Sequence, residues 1–335
     1  MTVTLILSFC ISFVCTYAFG KIYIPWLVKQ KFGQEIKLIG PYWHDKKRGT
    51  PTMGGVMFIF GILIACITAG FSSIRQGRLV HLFIFAFALV FGAIGFLDDW
   101  EKLKHKANLG LSGWVKLTLQ LVAAFIYIFF MIRLGYITSH LYIPFFNVSI
   151  NIPIWLYIVI STFAIVGTVN SVNLTDGLDG LATGTSIPVF LFFTAVAFLW
   201  GDSFLEAGIF SSAMMGGPFA FLIYNFNPAK VFMGDTGSLF LGGAVAAMAF
   251  VYDMPLILLT IGIMYIIETL SDIIQVSYFK LTHGKRIFKM APFHHHLEMG
   301  GWIGRKWKEK QIFALFTSVS LLFAILSFIG IMKRY

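Results

Sequence analysis

Asp98 and Asp99 stand side by side at the end of a long apolar run, and Lys102 follows them. On a continuing helix Asp98 and Lys102 form an i,i+4 pair and Asp99 and Lys102 an i,i+3 pair, so one ammonium lies near both acids. Adjacent carboxylates repel. They require a cation, a shared proton or full solvation. A water-exposed helix end meets the last condition without any chemistry, so the reading turns on whether other acids gather on the same side.

Several other stretches carry similar groups. Asn170, Asn173, Asp176 and Asp179 recur every third residue with Thr175 among them, and Gly177 and Gly180 loosen the backbone. Amide and carboxylate oxygens are hard ligands suited to Mg²⁺. Such groups also read nucleobase edges, and the plain alternative is a polar turn with glycine caps. Gly234-Asp235-Thr236-Gly237-Ser238 has the form of a helix start whose free N–H groups face an anion. Asp235 there offers a carboxylate that a metal would bridge to phosphate. His294, His295 and His296 are consecutive and would point in different directions on a helix. That disfavours a closed zinc site and fits donors to a phosphate or sugar. Lys47 and Lys116 are ordinary boundary lysines unless an anion sits beside them. Glu268 and Asp272 are i,i+4, with Gln275 beyond, and need polar company inside an apolar span. Helix–helix adhesion accounts for them as well as catalysis does.

The elements that must position these residues are membrane helices. The chain is 58% apolar and 12% charged with mean hydropathy +0.83, against roughly 25% charged in soluble proteins. The runs are continuous rather than alternating, which selects an all-α integral membrane protein over a barrel. Ten spans are expected, at 3–28, 53–70, 79–97, 115–134, 153–170, 183–200, 207–224, 238–252, 255–279 and 311–331. Pro188 and Pro218 are candidate kinks. The first run has no basic residue before it and reads as a span rather than a cleaved leader. Neither a long polar linker nor an internal repeat divides residues 1–335, so one membrane domain is expected. The three cysteines lie in apolar runs without metal spacing.

Charge orients this bundle. Nineteen Lys and Arg fall in loops on one side and five on the other, with Lys21 inside the first span. The basic loops are therefore expected in the cytoplasm and both termini outside. The net charge of +10 comes without heptads, zinc ligand pairs or an RNA-binding signature, so nucleic acid is not the expected partner. With ten spans, every polar motif above lands on the cytoplasmic face. So do Thr50-Pro51-Thr52-Met53-Gly54-Gly55 and the connection from Asn225 to Phe232. Acids for a divalent metal, and lysines and histidines for phosphate, at a lipid boundary fit phosphoryl transfer between a soluble anionic nucleotide and a lipid.

Five of these motifs, in order, resemble the polyprenyl-phosphate N-acetylhexosamine-1-phosphate transferases. They are Lys47-Arg48-Gly49-Thr50-Pro51-Thr52, Asp98-Asp99-x-x-Lys102, Asn170-x-x-Asn173-x-x-Asp176-Gly177-x-Asp179, Phe232-x-Gly234-Asp235 and Pro292-Phe293-His294-His295-His296. The first and last are similar to the bacterial phospho-N-acetylmuramoyl-pentapeptide-transferase branch. The resemblance implies transfer from UDP-N-acetylmuramoyl-pentapeptide to undecaprenyl phosphate, giving lipid I and UMP for peptidoglycan synthesis. It implies Mg²⁺ at Asp235, with Asp99 and Asp176 helping to form the site. Asp98 would be general base, or an aspartate the nucleophile of a covalent route. Asn173, Asp179 and Phe232 would hold uridine, and Lys47 and Lys102 would meet phosphates. His294, His295 and Gln275 would face the diphosphate and sugar. Lys116, Thr52, Asn170, Asn225 and His296 complete the candidate substrate site. The family further implies a homodimer in the bacterial plasma membrane. The rivals are an N-acetylglucosamine-1-phosphate transferase, against which Pro292–His296 argues, and a secondary transporter, which would carry midplane charges and repeats.

Overall fold

The computed structural model describes residues 1–30, 47, 49–105 and 110–334. It is a bundle built from α1 (Thr2–Lys29), α2 (Gly55–Ala69), α3 (Phe71–Arg75), α4 (Val80–His105), α5 (Gly113–Arg133), α6 (Ile154–Thr175), α7 (Leu181–Trp200), α8 (Leu205–Asn225), α9 (Gly234–Val251), α10 (Leu258–Ile261), α11 (Ile263–Leu281), α12 (Phe293–Glu298) and α13 (Glu309–Ile331). Eight of the described helices are long and apolar enough to cross a membrane. Two of the ten expected spans depart from that form. The second, α2, has only 15 residues, and the ninth is broken, α10 and α11 meeting at 81° at Gly262. Pro188 and Pro218 sit inside α7 and α8, each of which runs on as one helix.

The connection from α5 to α6 carries a pair of short strands. Strands β1 (His140–Ile143) and β2 (Val148–Asn151) form an antiparallel hairpin, His140 opposite Asn151 and Ile143 opposite Val148. Phe145 at its tip donates its N–H to the carbonyl of Gly330 at 2.9 Å, tying the hairpin to the end of α13. Pro153 then starts α6 at its N-cap.

The bundle is centred on α9, nearly all of whose residues are buried. An enclosing ring of apolar side chains leaves many α1, α5 and α13 residues facing outward, as lipid requires. Packing between helices relies on small and hydroxylated residues. On α1 the stripe Ser8, Ser12, Thr16 and Gly20 is buried. Ser8 Oγ donates to the carbonyl of Ile209 at 2.7 Å and Ser12 Oγ to that of Ala213 at 2.8 Å, while Ser212 Oγ returns a bond to Leu5 at 2.6 Å. Gly216 of α8 lies against the carbonyl of Phe9, where a β-carbon would collide. Gly216→Val should therefore cost about 1–3 kcal/mol through overpacking. Thermal unfolding in detergent reads this as a lowered midpoint, and an unchanged midpoint would contradict the α1–α8 packing.

Candidate active site

The acids converge where α4 ends and α9 begins. Gly95 on α4 lies so close to the carbonyl of Asp235 that a β-carbon there would collide, which brings the two backbones together. The first turn of α9 has N–H groups without helical partners. Asp99, 3% exposed, takes two of them: Oδ1 accepts from Asp235 N at 3.1 Å and Oδ2 from Thr236 N at 2.9 Å. Thr236 Oγ1 donates to the same Oδ2 at 2.7 Å. Asp99 thus caps α9 from another helix.

That contact sets Asp98 and Asp235 beside one another. Among the described residues, ligand oxygens of Asp98, Asp99 and Asp235 lie within 4.8 Å of each other. Two lysines and an amide compensate the crowding. Lys102 Nζ meets Asp98 Oδ2 at 2.5 Å and Asp235 Oδ2 at 3.0 Å. Lys116 Nζ, from the first turn of α5, donates to Asp235 Oδ2 at 2.7 Å. Asn173 Nδ2 donates to Asp235 Oδ1 at 2.9 Å and to Ser238 Oγ at 2.7 Å. Asp98 Oδ1 also accepts the Leu111 N–H at 3.0 Å. Hard oxygens crowded this closely, on a surface that already draws ammonium groups, fit a divalent cation. Asp176, at the C-cap of α6, stands outside that trio. Burial first, then the charges of Asp235, Asp99 and Asp179, holds its carboxyl well above the usual carboxylate range.

A second polar cluster lies across the 176–180 turn. Lys47 Nζ donates to Asp179 Oδ1 and to Glu309 Oε2, both at 2.7 Å. Asn227 Nδ2 bridges Asp179 and Glu309 at 3.1 Å to each, and Ala229 N reaches Asp179 at 2.9 Å. Burial works against charge on Lys47, but Glu309 and Asp179 outweigh it and raise its pKa. Beneath the turn, Leu178, Leu181, Met264, Ile312 and Phe316 form a small core of their own. The turn is thereby anchored to α11 and α13.

The remaining candidates divide between those that face the site and those spent on local structure. The Thr52–Gly55 segment docks on the start of α9 by backbone pairing. Phe232 N donates to Pro51 O and Gly54 N to Phe232 O, both at 2.8 Å. Phe232 keeps a partly open ring there, and Thr52 Oγ1 and Asp99 lie against Gly234. Asn170 is paired with Gln120 of α5, its Nδ2 donating at 2.7 Å. Asn225 is 1% exposed and closes the loop after α8 through Val231 O at 2.9 Å. Gln275 Oε1 accepts from Ile287 and Phe288 N–H groups, at 3.2 and 2.9 Å, stapling the loop after α11. His296 is buried, accepts the Lys289 N–H on Nδ1 at 3.1 Å and sits among Phe288, Phe293 and Trp302. Burial and then Lys289 lower its pKa. His295 Nδ1 meets Glu298 Oε2 at 2.7 Å. His294 is gripped by Glu268, with Nδ1 2.8 Å from Oε2. Glu309 had no signal in the sequence beyond a charge at a helix start.

A model of glycosyl transferase family 4 matches residues 81–253, and a phospho-N-acetylmuramoyl-pentapeptide-transferase signature matches residues 47–59. The chain is 44% identical over 323 residues to the phospho-N-acetylmuramoyl-pentapeptide-transferase of Listeria monocytogenes serotype 4b, covering 96% of this chain and 97% of that one. It is 46% identical over 328 residues to the protein of that name in Clostridium acetobutylicum, covering 97% and 99%. In Halalkalibacterium halodurans the figures are 44% over 323 residues, 96% of each chain.

The adjacent acids differ in structural partners: Asp99 caps α9, and Asp98 does not. Asp99→Ala leaves buried N–H groups of α9 unmatched and should destabilise by about 1–3 kcal/mol. Asp98→Ala should lower the unfolding midpoint less, and equal shifts for the two variants would contradict the capping role.

Proposed function

The chain belongs to the phospho-N-acetylmuramoyl-pentapeptide-transferase family, and from that premise we propose how its residues carry the reaction. The enzyme transfers phospho-N-acetylmuramoyl-pentapeptide from UDP-N-acetylmuramoyl-pentapeptide to undecaprenyl phosphate, releasing UMP and forming lipid I. The observation that carries the site assignment is the convergence of Asp98, Asp99 and Asp235 with Lys102 and Lys116 at one end of the bundle.

Mg²⁺ held at Asp235, with Asp99 and Asp98 adjoining and Asp176 behind, would neutralise diphosphate oxygens and the charge that develops on the leaving UMP. Lys102 and Lys116 provide the remaining countercharge, turning from carboxylate to phosphate as the substrate enters. Asp98 lies among these ammonium groups and orients the attacking lipid phosphate. A phosphate monoester loses its second proton near pH ~6, so positioning outweighs proton removal at neutral pH. Asp179 and the half-open ring of Phe232 form the uridine side, and Asn173, which donates to Asp235, would join it to the acids. Lys47 is held by Asp179 and Glu309 beside that side, ready for a phosphate.

A cavity of about 340 Å³ supports the lipid assignment. It runs along α6 from Tyr157 past Ala164 and Gly167 to Ser171, against Leu258 and Tyr265. A rise of fourteen residues spans ~21 Å, which reaches from the hairpin to five residues short of Asp176. Its lining is overwhelmingly apolar, as a polyprenyl chain requires. The charge of the basic loops supports a site at the cytoplasmic face with both termini outside and ten crossings, counting the bent α10–α11 pair and short α2. The setting is the bacterial plasma membrane, with the enzyme as a homodimer.

Release of UMP by purified enzyme tests the reading. It should require Mg²⁺, stop on chelation and resume when Mg²⁺ is restored. Asp235→Ala should lose about 10²-fold or more. Equal rates for the variant and the wild type would reject the site. Offering UDP-N-acetylglucosamine in parallel checks the sugar, since incorporation of that sugar alone would move the enzyme to the sister activity.

A further inference from the structure

Glu268 has no role in the scheme above, yet its surroundings are specific. It lies on α11 with no exposed surface. Its Oε1 accepts the backbone N–H of His294 at 3.1 Å, and its Oε2 meets the ring Nδ1 of the same residue at 2.8 Å. One carboxylate therefore grips both the start of α12 and the imidazole that α12 carries. With Nδ1 engaged by the carboxylate, Nε2 is the ring atom left for another partner.

Nε2 has no partner among the described residues, although His294 is 1% exposed. Buried ring nitrogens are normally satisfied, so this one requires an explanation. The ring lies flush against Gly177, where any β-carbon would collide with Nε2. Nε2 is thus aimed at the turn that carries Asp176 and Asp179. α11 is fixed to α6 just before that turn by Thr269 Oγ1, which donates to Ser171 Oγ at 2.7 Å. His296 provides the contrast. Its Nε2 is also unpartnered, but its ring is enclosed by Phe288, Phe293 and Trp302.

We propose that Glu268 is a positioning residue for the transfer: it fixes the orientation and tautomer of His294 so that Nε2 meets the phosphosugar part of the nucleotide substrate beside Gly177. The inference rests on the transferase reading. Simple adhesion between α11 and α12 would be served by the backbone bond alone. The second oxygen and the glycine opposite the ring are explained by a ligand at Nε2.

A double-mutant cycle on the full-length purified enzyme tests this, with UMP release measured against UDP-N-acetylmuramoyl-pentapeptide at saturating undecaprenyl phosphate. Glu268→Gln supplies one acceptor where His294 presents two donors, so the ring should turn or change tautomer. It should lower kcat/KM for the nucleotide about 10- to 100-fold, with KM for the lipid phosphate and the unfolding midpoint near wild type. In a His294→Ala background the same change should add no further loss. Losses that multiply, or a Glu268→Gln enzyme equal to wild type, would overturn the proposal. If Glu268→Gln does not fold, Gly177→Ala pushes the ring from its other side and leaves Glu268 intact. The same fall in kcat/KM supports the proposal, and wild-type kinetics overturn it. A wild-type enzyme that releases no UMP defeats the transferase reading itself, which separates the two failures.

Discussion

The contact between Asp99 and the first turn of α9 constrains everything around it. A helix that begins inside a membrane protein has N–H groups that water cannot reach, and leaving them unmatched is costly. Asp99 supplies the acceptors from α4, with Gly95 permitting the approach. Once that bond forms, Asp235 at the second position of α9 has nowhere to go but beside Asp98. Carboxylates at this distance repel in proportion to how little water screens them. The fold must then bring cations, and it brings Lys102 from one turn along α4 and Lys116 from the start of α5. A requirement of helix capping thereby assembles a charged cluster from three separate helices.

The turn after α6 divides this cluster from a second one. Asp176 faces the acids, while Asp179 faces Lys47, Asn227 and Glu309. Between them Gly177 admits the ring of His294. Under the proposed function a nucleotide with its diphosphate would reach across both clusters. The turn supplies that length in a few residues because it changes direction at Gly180, whose φ of 75° suits glycine.

Much of this could be read in the chain because membrane helices make polar residues conspicuous. Asp98, Asp176 and Asp235 stood out against apolar runs, and the structure gathers them at one end of the bundle. Chain order alone could not tell which polar groups are spent on structure. Asn170 answers Gln120, Gln275 holds the loop at Phe288, and Asn225 closes its own loop. Glu309 escaped notice because its partner Lys47 lies 262 positions away. Nor did hydropathy show the break at Gly262, since apolar residues continue on both sides of it. The hairpin was hidden for another reason: four-residue strands are too short for alternation to register.

Charge balance gives the last step. Burial and three neighbouring carboxylates hold Asp176 toward its neutral form. Asp98, Asp99 and Asp235 then face Lys102 and Lys116, three negative groups against two positive ones. A diphosphate entering such a pocket meets net repulsion, and the lysines cannot turn to it without exposing the acids to one another. Under the proposed function, these acids would hold a divalent cation that reverses the sign of the pocket, leaving both lysines to phosphate. The same ion brought to a site of lysines alone would have no carboxylate to hold it, and acids alone would hold it while repelling the substrate. The interleaving of acids and lysines on α4, α5 and α9 puts groups suited to a cation and groups suited to an anion in one small volume.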